Sequence, residues 1–273
     1  MLRERHPGLR YRRRMSRDDD RTRPAERPAP PARLDRLDAW RGAAMVWMTV
    51  FHAAFDLNQF RLIPRQNFYA DPFWTLQRVA IVTMFLACAG VAQAVAGARP
   101  AAPGRFWRRW GQVAACAALV SAGSALMFPR SWISFGVLHA IAAMLLLVEA
   151  ARHGAPRLAA SPGAWAGMGA GAIALPAWVA HPFFDSRWTN WIGLTTRRPV
   201  TEDYVPMLPW FGVMALGMAA GLWLLAHRPG VLRGALPEAL RPLAALGRVP
   251  LLYYMAHQPV MIGLLLAARS IAG

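Results

Sequence analysis

Three ionisable side chains lie within the otherwise apolar segment that runs from Arg41 to Asp56. His52 and Asp56 are four residues apart, which places both side chains on one face of a helix and within reach of each other. A carboxylate in that position can orient an imidazole ring and raise its basicity, as a general base or a nucleophile requires. Arg41 precedes His52 by about three helical turns, roughly 16 Å, so it lies on the same face. The spacing therefore predicts a catalytic pair with a positive charge toward one end of the helix.

Each of these residues also has a structural interpretation. His52 could serve only as a hydrogen-bond partner between helices, since polar groups inside a membrane helix usually pair with a neighbouring helix. Arg41 could extend its charged end to the membrane surface, as arginines near helix ends commonly do. The sequence leaves both interpretations open beside the catalytic one.

Further polar residues lie near the ends of other apolar segments: Arg78, His139, Asp203 and Tyr204. Because alternate segments cross in opposite directions, all four come to the side on which Asp56 lies. We therefore expect them to join the pair on the first segment in one cluster near the outer face. An ion pair between Arg78 and Asp56, and a purely structural hydrogen bond at His139, are the alternatives.

Pro259 interrupts the last apolar segment directly after His257 and Gln258. A proline within a helix removes one backbone hydrogen bond and leaves a carbonyl group free one turn earlier, here near Met255. The free carbonyl and the two polar side chains together predict a polar notch in the inner half of the membrane. The alternative is a kink whose free backbone groups His257 satisfies.

The elements that carry these residues are predicted from composition and from the length of the apolar runs. Hydrophobic residues make up 56% of the 273-residue chain and charged residues 16%, whereas soluble domains carry about 45–50% and about 25%. A helix needs about 20 apolar residues to cross a bilayer, and seven runs qualify. They are residues 39–60, 73–96, 107–128, 133–151, 164–181, 208–226 and 250–269. Because these runs are continuously apolar rather than alternating, we predict an all-α bundle of seven transmembrane helices within a domain of residues 33–273.

Charge predicts the orientation of this bundle. The formal net charge is +17, and every basic residue is arginine, as a GC-rich genome favours. Residues 1–38 hold 12 arginines, and the loops after the second, fourth and sixth runs, together with the ends of the adjoining runs, hold 10, against 7 on the opposite side. The positive-inside rule therefore places the N-terminus in the cytoplasm. Such scattered charge indicates membrane topology, with the bacterial inner membrane as the expected location, rather than a nucleic-acid-binding protein. Residues 1–32, rich in arginine and proline, are predicted to form a disordered cytoplasmic tail.

Several kinds of site are disfavoured because their motifs are missing. The sequence contains no glycine-rich nucleotide loop with its lysine, no His-Glu-x-x-His helix and no Gly-x-Ser-x-Gly turn. Cys88 and Cys116 each lie in an apolar run and offer neither a disulfide framework nor a cysteine metal site. A metal site formed by His52, Asp56 and His139 matches no specific ligand spacing. No metal cofactor is therefore expected.

Five segments in order resemble the bacterial branch of the heparan-α-glucosaminide N-acetyltransferase catalytic-domain family, many of whose members are known only as a domain of unknown function. The segments are residues 37–42, 51–57, 135–139, 203–212 and 246–259. The resemblance extends over residues 33–268 and implies a polytopic acyltransferase. It further implies that acetyl passes from cytosolic acetyl-CoA to an amino sugar or another glycan of the cell envelope. The lysosomal members have a catalytic histidine after the first span, whereas residues 57–72 contain none here, and His52 takes the position of an asparagine in that branch.

The residues and the resemblance together give one hypothesis for the reaction. The cofactor-binding residues would be Arg41, Arg248, His257 and Gln258, with Arg108 or Arg109 as further phosphate partners. His52, oriented by Asp56, would deprotonate the acceptor or carry the acetyl group, and both routes stay open. The oxyanion would be stabilised by Arg78 or His139, and the acceptor would be bound by Asp203 and Tyr204.

Two other classes of protein compete with this hypothesis. A proton-coupled transporter or flippase would use the same histidine, aspartate and arginine groups as a proton relay, although the seven runs show no evident duplication. A noncatalytic subunit of an envelope complex is the second alternative. The chain could also assemble with copies of itself in the lipid bilayer.

Overall fold

The computed structural model describes residues 34–98 and 103–272, and this part of the chain contains helices but no strand. The predicted disordered tail, residues 1–32, lies outside the described residues. The helices are α1 (Asp35–Gln59), α2 (Pro72–Gly97), α3 (Arg105–Met127), α4 (Val137–Gly154), α5 (Pro156–Ala159), α6 (Pro162–Trp178), α7 (Met207–His227), α8 (Pro229–Arg233), α9 (Arg241–Gly247) and α10 (Pro250–Ala272). Short 3-10 helices occupy Pro182–Asp185, Asn190–Ile192 and Glu238–Leu240.

Five helices of the described chain are long and apolar enough to cross a membrane, namely α2, α3, α4, α7 and α10. The predictions of an all-helical fold and of several membrane-crossing helices are confirmed. Helices α1 and α6 coincide with the other two predicted spans. Helix α1 carries six ionisable side chains along its 25 residues, and α6 has 17 residues. The total of seven spans and the cytoplasmic N-terminus stay predictions.

Helix starts follow local capping chemistry. The Asp71 carboxylate accepts a hydrogen bond of 2.8 Å from the Phe73 N–H at the start of α2, and Pro72 takes the first helical position. Ser161 caps α6 in the same way by accepting from the Ala164 N–H at 3.2 Å, again with a proline following. These caps fix the points at which two of the helices begin.

Helix α7 packs along both α2 and α6, and glycines allow the close approach. A Cβ atom on Gly217 would overlap the backbone oxygen of Ala87 in α2, and one on Gly212 would lie 2.6 Å from the Gly169 oxygen in α6. Small residues of this kind let membrane helices approach each other at backbone distance. The three helices therefore form a closely packed layer in which larger residues at these positions would not fit.

Helices α1 and α10 run in the same direction. Along α1, Thr49 pairs with the hydroxyl of Tyr253, and Asp56, further on, pairs with Gln258. The contacting residues therefore follow the same order along both helices, as they do in a parallel pair. Two parallel helices at the start and end of a membrane domain imply an odd number of crossings if both span, which agrees with the predicted seven but does not fix the number.

Candidate functional site

The polar side chains of α1 and α10 meet in one cluster, which we call the α1–α10 site and define by His52, Asp56, His257 and Gln258. The His52 and His257 rings lie 5.3 Å apart between centroids, at 63° to each other. Asp56 is only 4% exposed. The structure therefore brings two predicted catalytic residues together with two residues predicted to bind the cofactor.

Asp56 pairs across the helices rather than along its own helix. Both of its carboxylate oxygens accept hydrogen bonds from the Gln258 amide nitrogen, at 2.9 and 3.1 Å. His52 forms no hydrogen bond with Asp56 in the described chain, so the predicted orientation of the imidazole by this carboxylate is not seen. The amide from α10 satisfies both buried oxygens, and a buried carboxylate is stable only when paired in this way.

His257 is held in one tautomer. Its Nδ1 lies 2.7 Å from the backbone oxygen of Tyr254, and because a carbonyl only accepts, Nδ1 carries the hydrogen. The neutral ring then has its lone pair on Nε2, an atom that is buried and has no hydrogen-bond partner among residues 34–98 and 103–272. The ring also stacks on Tyr253, with centroids 5.9 Å apart and planes 5° apart.

Residues next to Pro259 therefore do more than relieve a kink. The proline was expected to free a carbonyl near Met255, and His257 bonds instead to the neighbouring Tyr254 carbonyl. The structure places His257 and Gln258 beside His52 and Asp56, which spacing along one helix does not predict. The location of the polar notch in the inner half of the membrane stays a prediction.

Unpartnered acceptors are concentrated at this site. Three buried side-chain atoms find no hydrogen-bond partner in the described chain: Asn190 Oδ1, His257 Nε2 and Gln258 Oε1. Buried polar atoms are nearly always paired in folded proteins, so an exception needs an explanation. Two of the three belong to adjacent residues of α10, and each would accept a hydrogen bond from a bound molecule.

The arginines predicted to hold phosphates lie at the opposite end of α1. Arg41 Nη1 donates to Asp38 at 2.8 Å and to the backbone oxygen of Gly247 at 2.9 Å. Its Nε and Nη2 donate to no oxygen atom among the described residues, and the Cys88 thiol lies beside the guanidinium. Arg248 donates to Asp35 at 2.9 Å. Because Arg41 contacts Gly247 and Arg248 is the next residue, the two arginines lie near each other at the end of α9. Each of them is also paired with a carboxylate.

Two predicted site residues support the start of α4. The Gly136 N–H donates to His139 Nδ1 at 3.3 Å, so Nε2–H is left to donate to the Ser121 hydroxyl at 3.0 Å. Asp203 accepts from the Val137 N–H at 2.8 Å. These contacts explain why α4 begins at Val137 rather than at residue 133. Burial raises the pKa of Asp203 above its ordinary value, while the Val137 hydrogen bond and the charge of Arg78 oppose the rise.

Arg78 and Tyr204 also lie apart from the α1–α10 site. The Arg78 guanidinium interacts electrostatically with Asp203, Tyr69 and Arg198, and it forms no ion pair with Asp56 in the described chain. The Tyr204 hydroxyl donates to the backbone oxygen of Asn190 at 2.7 Å. No hydrogen bond or ion pair among the described residues joins these contacts around α4 to the α1–α10 site, but Asp203 interacts electrostatically with Tyr254, whose ring centroid lies 5.6 Å from that of His257.

These features define a helical membrane protein with a buried histidine and carboxylate site between its first and last long helices. The catalytic-domain model of heparan-alpha-glucosaminide N-acetyltransferase matches residues 33–259, and the chain belongs to that family. The match ends just after His257 and Gln258 and so includes the whole α1–α10 site. No curated protein and no solved structure matches the chain. Because the family is named for acyl transfer, the match lends no support to the transporter or flippase alternative.

Proposed function

We propose that the protein is an integral membrane acetyltransferase that moves acetyl from cytosolic acetyl-CoA to an amino sugar or another glycan of the cell envelope. Membership of the family supports the reaction class. The arginine distribution supports an inner-membrane location with the acceptor on the outer side. The observation that carries the proposal is the buried, unpartnered Nε2 of His257.

His257 is suited to act as the base or the nucleophile. The Tyr254 carbonyl holds the Nδ1 hydrogen, which directs the Nε2 lone pair to the reaction and stabilises the ring when it becomes positively charged. We therefore assign the central role to His257 and make His52 its neighbour. Asp56 and Gln258 then position the α10 side of the site through their hydrogen bonds.

Two routes use the same nitrogen atom. In direct transfer, Nε2 takes a proton as the acceptor amine attacks the thioester carbonyl; the C–N bond forms, the C–S bond breaks and the coenzyme thiolate regains the proton. In the two-step route, Nε2 itself attacks the carbonyl and expels the thiolate. The amine then attacks the acetyl carbonyl, its C–N bond forms as the bond to Nε2 breaks, and the amine proton passes to the thiolate. An amine also supplies N–H donors that the Gln258 oxygen lacks in the described chain.

The donor is expected to bind along α1. Arg41 and His52 lie on one face, roughly 16 Å apart, so phosphates at the cytoplasmic end would leave the thioester near the histidines. Arg41 Nε and Nη2 are available for a phosphate, and Arg248 lies close by. Guanidinium groups suit phosphate because they donate two parallel hydrogen bonds.

The test compares His257→Ala and His257→Gln with the wild type in detergent. We expect transfer of labelled acetyl to glucosamine to fall by about 10² to 10⁴ while binding of acetyl-CoA is retained. His153→Ala is the matched control, because that side chain is 80% exposed. Mass spectrometry of rapidly quenched enzyme would show acetyl on His257 in the two-step route only. Near-normal transfer by folded His257→Ala would overturn the assignment.

A further inference from the structure

A cavity of about 410 Å³ opens beside the C-terminal end of α1. Its walls combine aromatic and polar side chains, among them Phe55, Phe68, Tyr69, Gln59, Arg65 and Asn67. The volume suits a small ligand, and the mixture of aromatic faces, amides and a guanidinium suits a polyhydroxylated one. None of these residues belongs to the α1–α10 site.

The cavity nevertheless continues the face that carries this site. Gln59 follows Asp56 by three residues and His52 by seven, which is the spacing of one helical stripe. Its Cα lies about 4.5 Å beyond that of Asp56 along the helix axis. A molecule held in the cavity would therefore lie about one turn beyond Asp56 and about 10 Å beyond His52 along the helix axis.

The cavity wall is built on a fixed loop. Phe68 is 3% exposed and stacks on Trp74, with ring centroids 4.0 Å apart. The Asn58 side chain accepts from the Gln66 N–H at 2.7 Å and donates to the Gln66 oxygen at 3.2 Å. Both contacts hold the loop against α1, so the cavity is formed before a ligand enters and its binding costs less ordering entropy.

The charge at the cavity is positive. Arg65 takes part in none of the ion pairs among the described residues. Arg198 lies over the Tyr69 ring at 5.1 Å and donates to the Tyr69 backbone oxygen at 3.3 Å, and Arg78 interacts with both. Two acidic residues lie beside this group: Glu202 accepts from the Tyr69 hydroxyl at 3.5 Å, and Asp203 interacts electrostatically with Arg78, so the three arginines still outnumber the carboxylates.

We propose that this cavity binds the acceptor and selects an anionic amino sugar, one that carries a carboxylate or a phosphate. The Arg65 guanidinium binds the anionic group, and the Gln59 and Asn67 amides bind hydroxyl groups. The aromatic rings pack against the apolar face of the sugar. This inference rests on the proposed acetyltransferase function. It also replaces Asp203 and Tyr204 as the acceptor site, since both of those side chains are engaged elsewhere in the fold.

The test measures equilibrium binding of three probes to the purified full chain: glucosamine, glucosamine 6-phosphate and muramic acid. We expect at least one anionic probe to bind about 10- to 150-fold more tightly than glucosamine. Comparison of the affinities for glucosamine 6-phosphate and muramic acid shows whether the site prefers a phosphate or a carboxylate. Arg65→Gln should abolish the preference, whereas Arg130→Gln, a change at another exposed arginine, should keep it.

Two results would overturn the proposal: equal binding of glucosamine and the two anionic probes by the wild type, or an unchanged preference in folded Arg65→Gln. Thermal unfolding of each variant verifies folding, and a second variant, Arg65→Lys, should retain part of the preference because it keeps the charge. Acetyl transfer is measured separately. Transfer to glucosamine without any anionic preference would refute the cavity proposal alone, while selective binding without transfer would refute the acetyltransferase function alone.

Discussion

The side-chain amide of Gln258 lies 2.9 and 3.1 Å from the two carboxylate oxygens of Asp56 and so joins α10 to α1 at the level of the histidines. Helix α10 exposes much of its apolar surface, including Leu252 and Leu264. Its position against α1 therefore depends strongly on a few polar contacts, of which this is the most deeply placed.

Gln258→Leu is expected to destabilise the protein by about 1–3 kcal/mol, because it leaves a buried carboxylate without its donor. Thermal or denaturant unfolding in detergent measures the change. Gln112→Leu is the matched control, since Gln112 is exposed on α3. Replacing Asp56 and Gln258 together by leucine should restore most of the lost stability, because no unpaired polar atom then remains. Equal losses in the Gln258→Leu and Gln112→Leu proteins would contradict the cross-helix role.

His52→Ala should reduce transfer by less than His257→Ala does. The substitution leaves the Nε2 atom of His257 and its Tyr254 hydrogen bond in place, so the reacting group survives. We expect a loss of about tenfold or less, against about 10² to 10⁴ for His257→Ala. Steady-state kinetics of both variants at saturating acetyl-CoA measure the two losses in transfer rate and show which is larger. The reverse order would return the catalytic role to His52.

Much of this architecture follows from sequence patterns that act locally. Apolar run length located the seven long helices of residues 34–98 and 103–272 to within a few residues, and the spacing of His52 and Asp56 placed them on one face. The partner of that face was beyond the sequence, because spacing within one helix does not reveal which other helix packs against it. The contacts of His139 and Asp203 at the start of α4 were beyond the sequence for a related reason: they appear only once α4 is known to begin at Val137.

Arg41→Ala should weaken acetyl-CoA binding by about ten- to 150-fold, or about 1.5–3 kcal/mol, if the free Nε and Nη2 groups bind a phosphate. The control is Arg241→Ala, which removes an exposed arginine paired with Glu238 near the same end of the bundle. Because Arg41 also holds Asp38 and Gly247, unfolding must be measured alongside. An unchanged affinity in folded Arg41→Ala would remove this residue from the donor site.

Asp185 should make stability depend on pH in the acidic range. Hydrogen bonds from Thr196 and Arg197 lower the pKa of its carboxyl below the ordinary value of 3.8. A lowered folded-state pKa stabilises the fold above the ordinary value, and this stabilisation is lost as the pH falls through the folded-state pKa. Asp185→Ala should therefore unfold at a lower temperature than the wild type at pH 7, and the difference should shrink as the pH falls below 3.8. Glu238→Gln, at an 84% exposed side chain, serves as the control; a difference that stays constant as the pH falls through the acidic range would exclude the carboxylate as its source.

The parallel course of α1 and α10 predicts that the two ends of the membrane domain lie on opposite sides of the bilayer. With the N-terminus in the cytoplasm, a reporter fused after residue 273 should be detected outside, and one inserted near Pro156 should be detected in the cytoplasm. A third reporter near Arg130 should be external, because one further crossing separates it from Pro156. Each site is fused in turn to two reporters, one active only in the cytoplasm and one active only outside. Either location then gives a positive signal. Detection of residue 273 and Pro156 on the same side would show that one of the three long helices between them, α6, α7 or α10, does not cross.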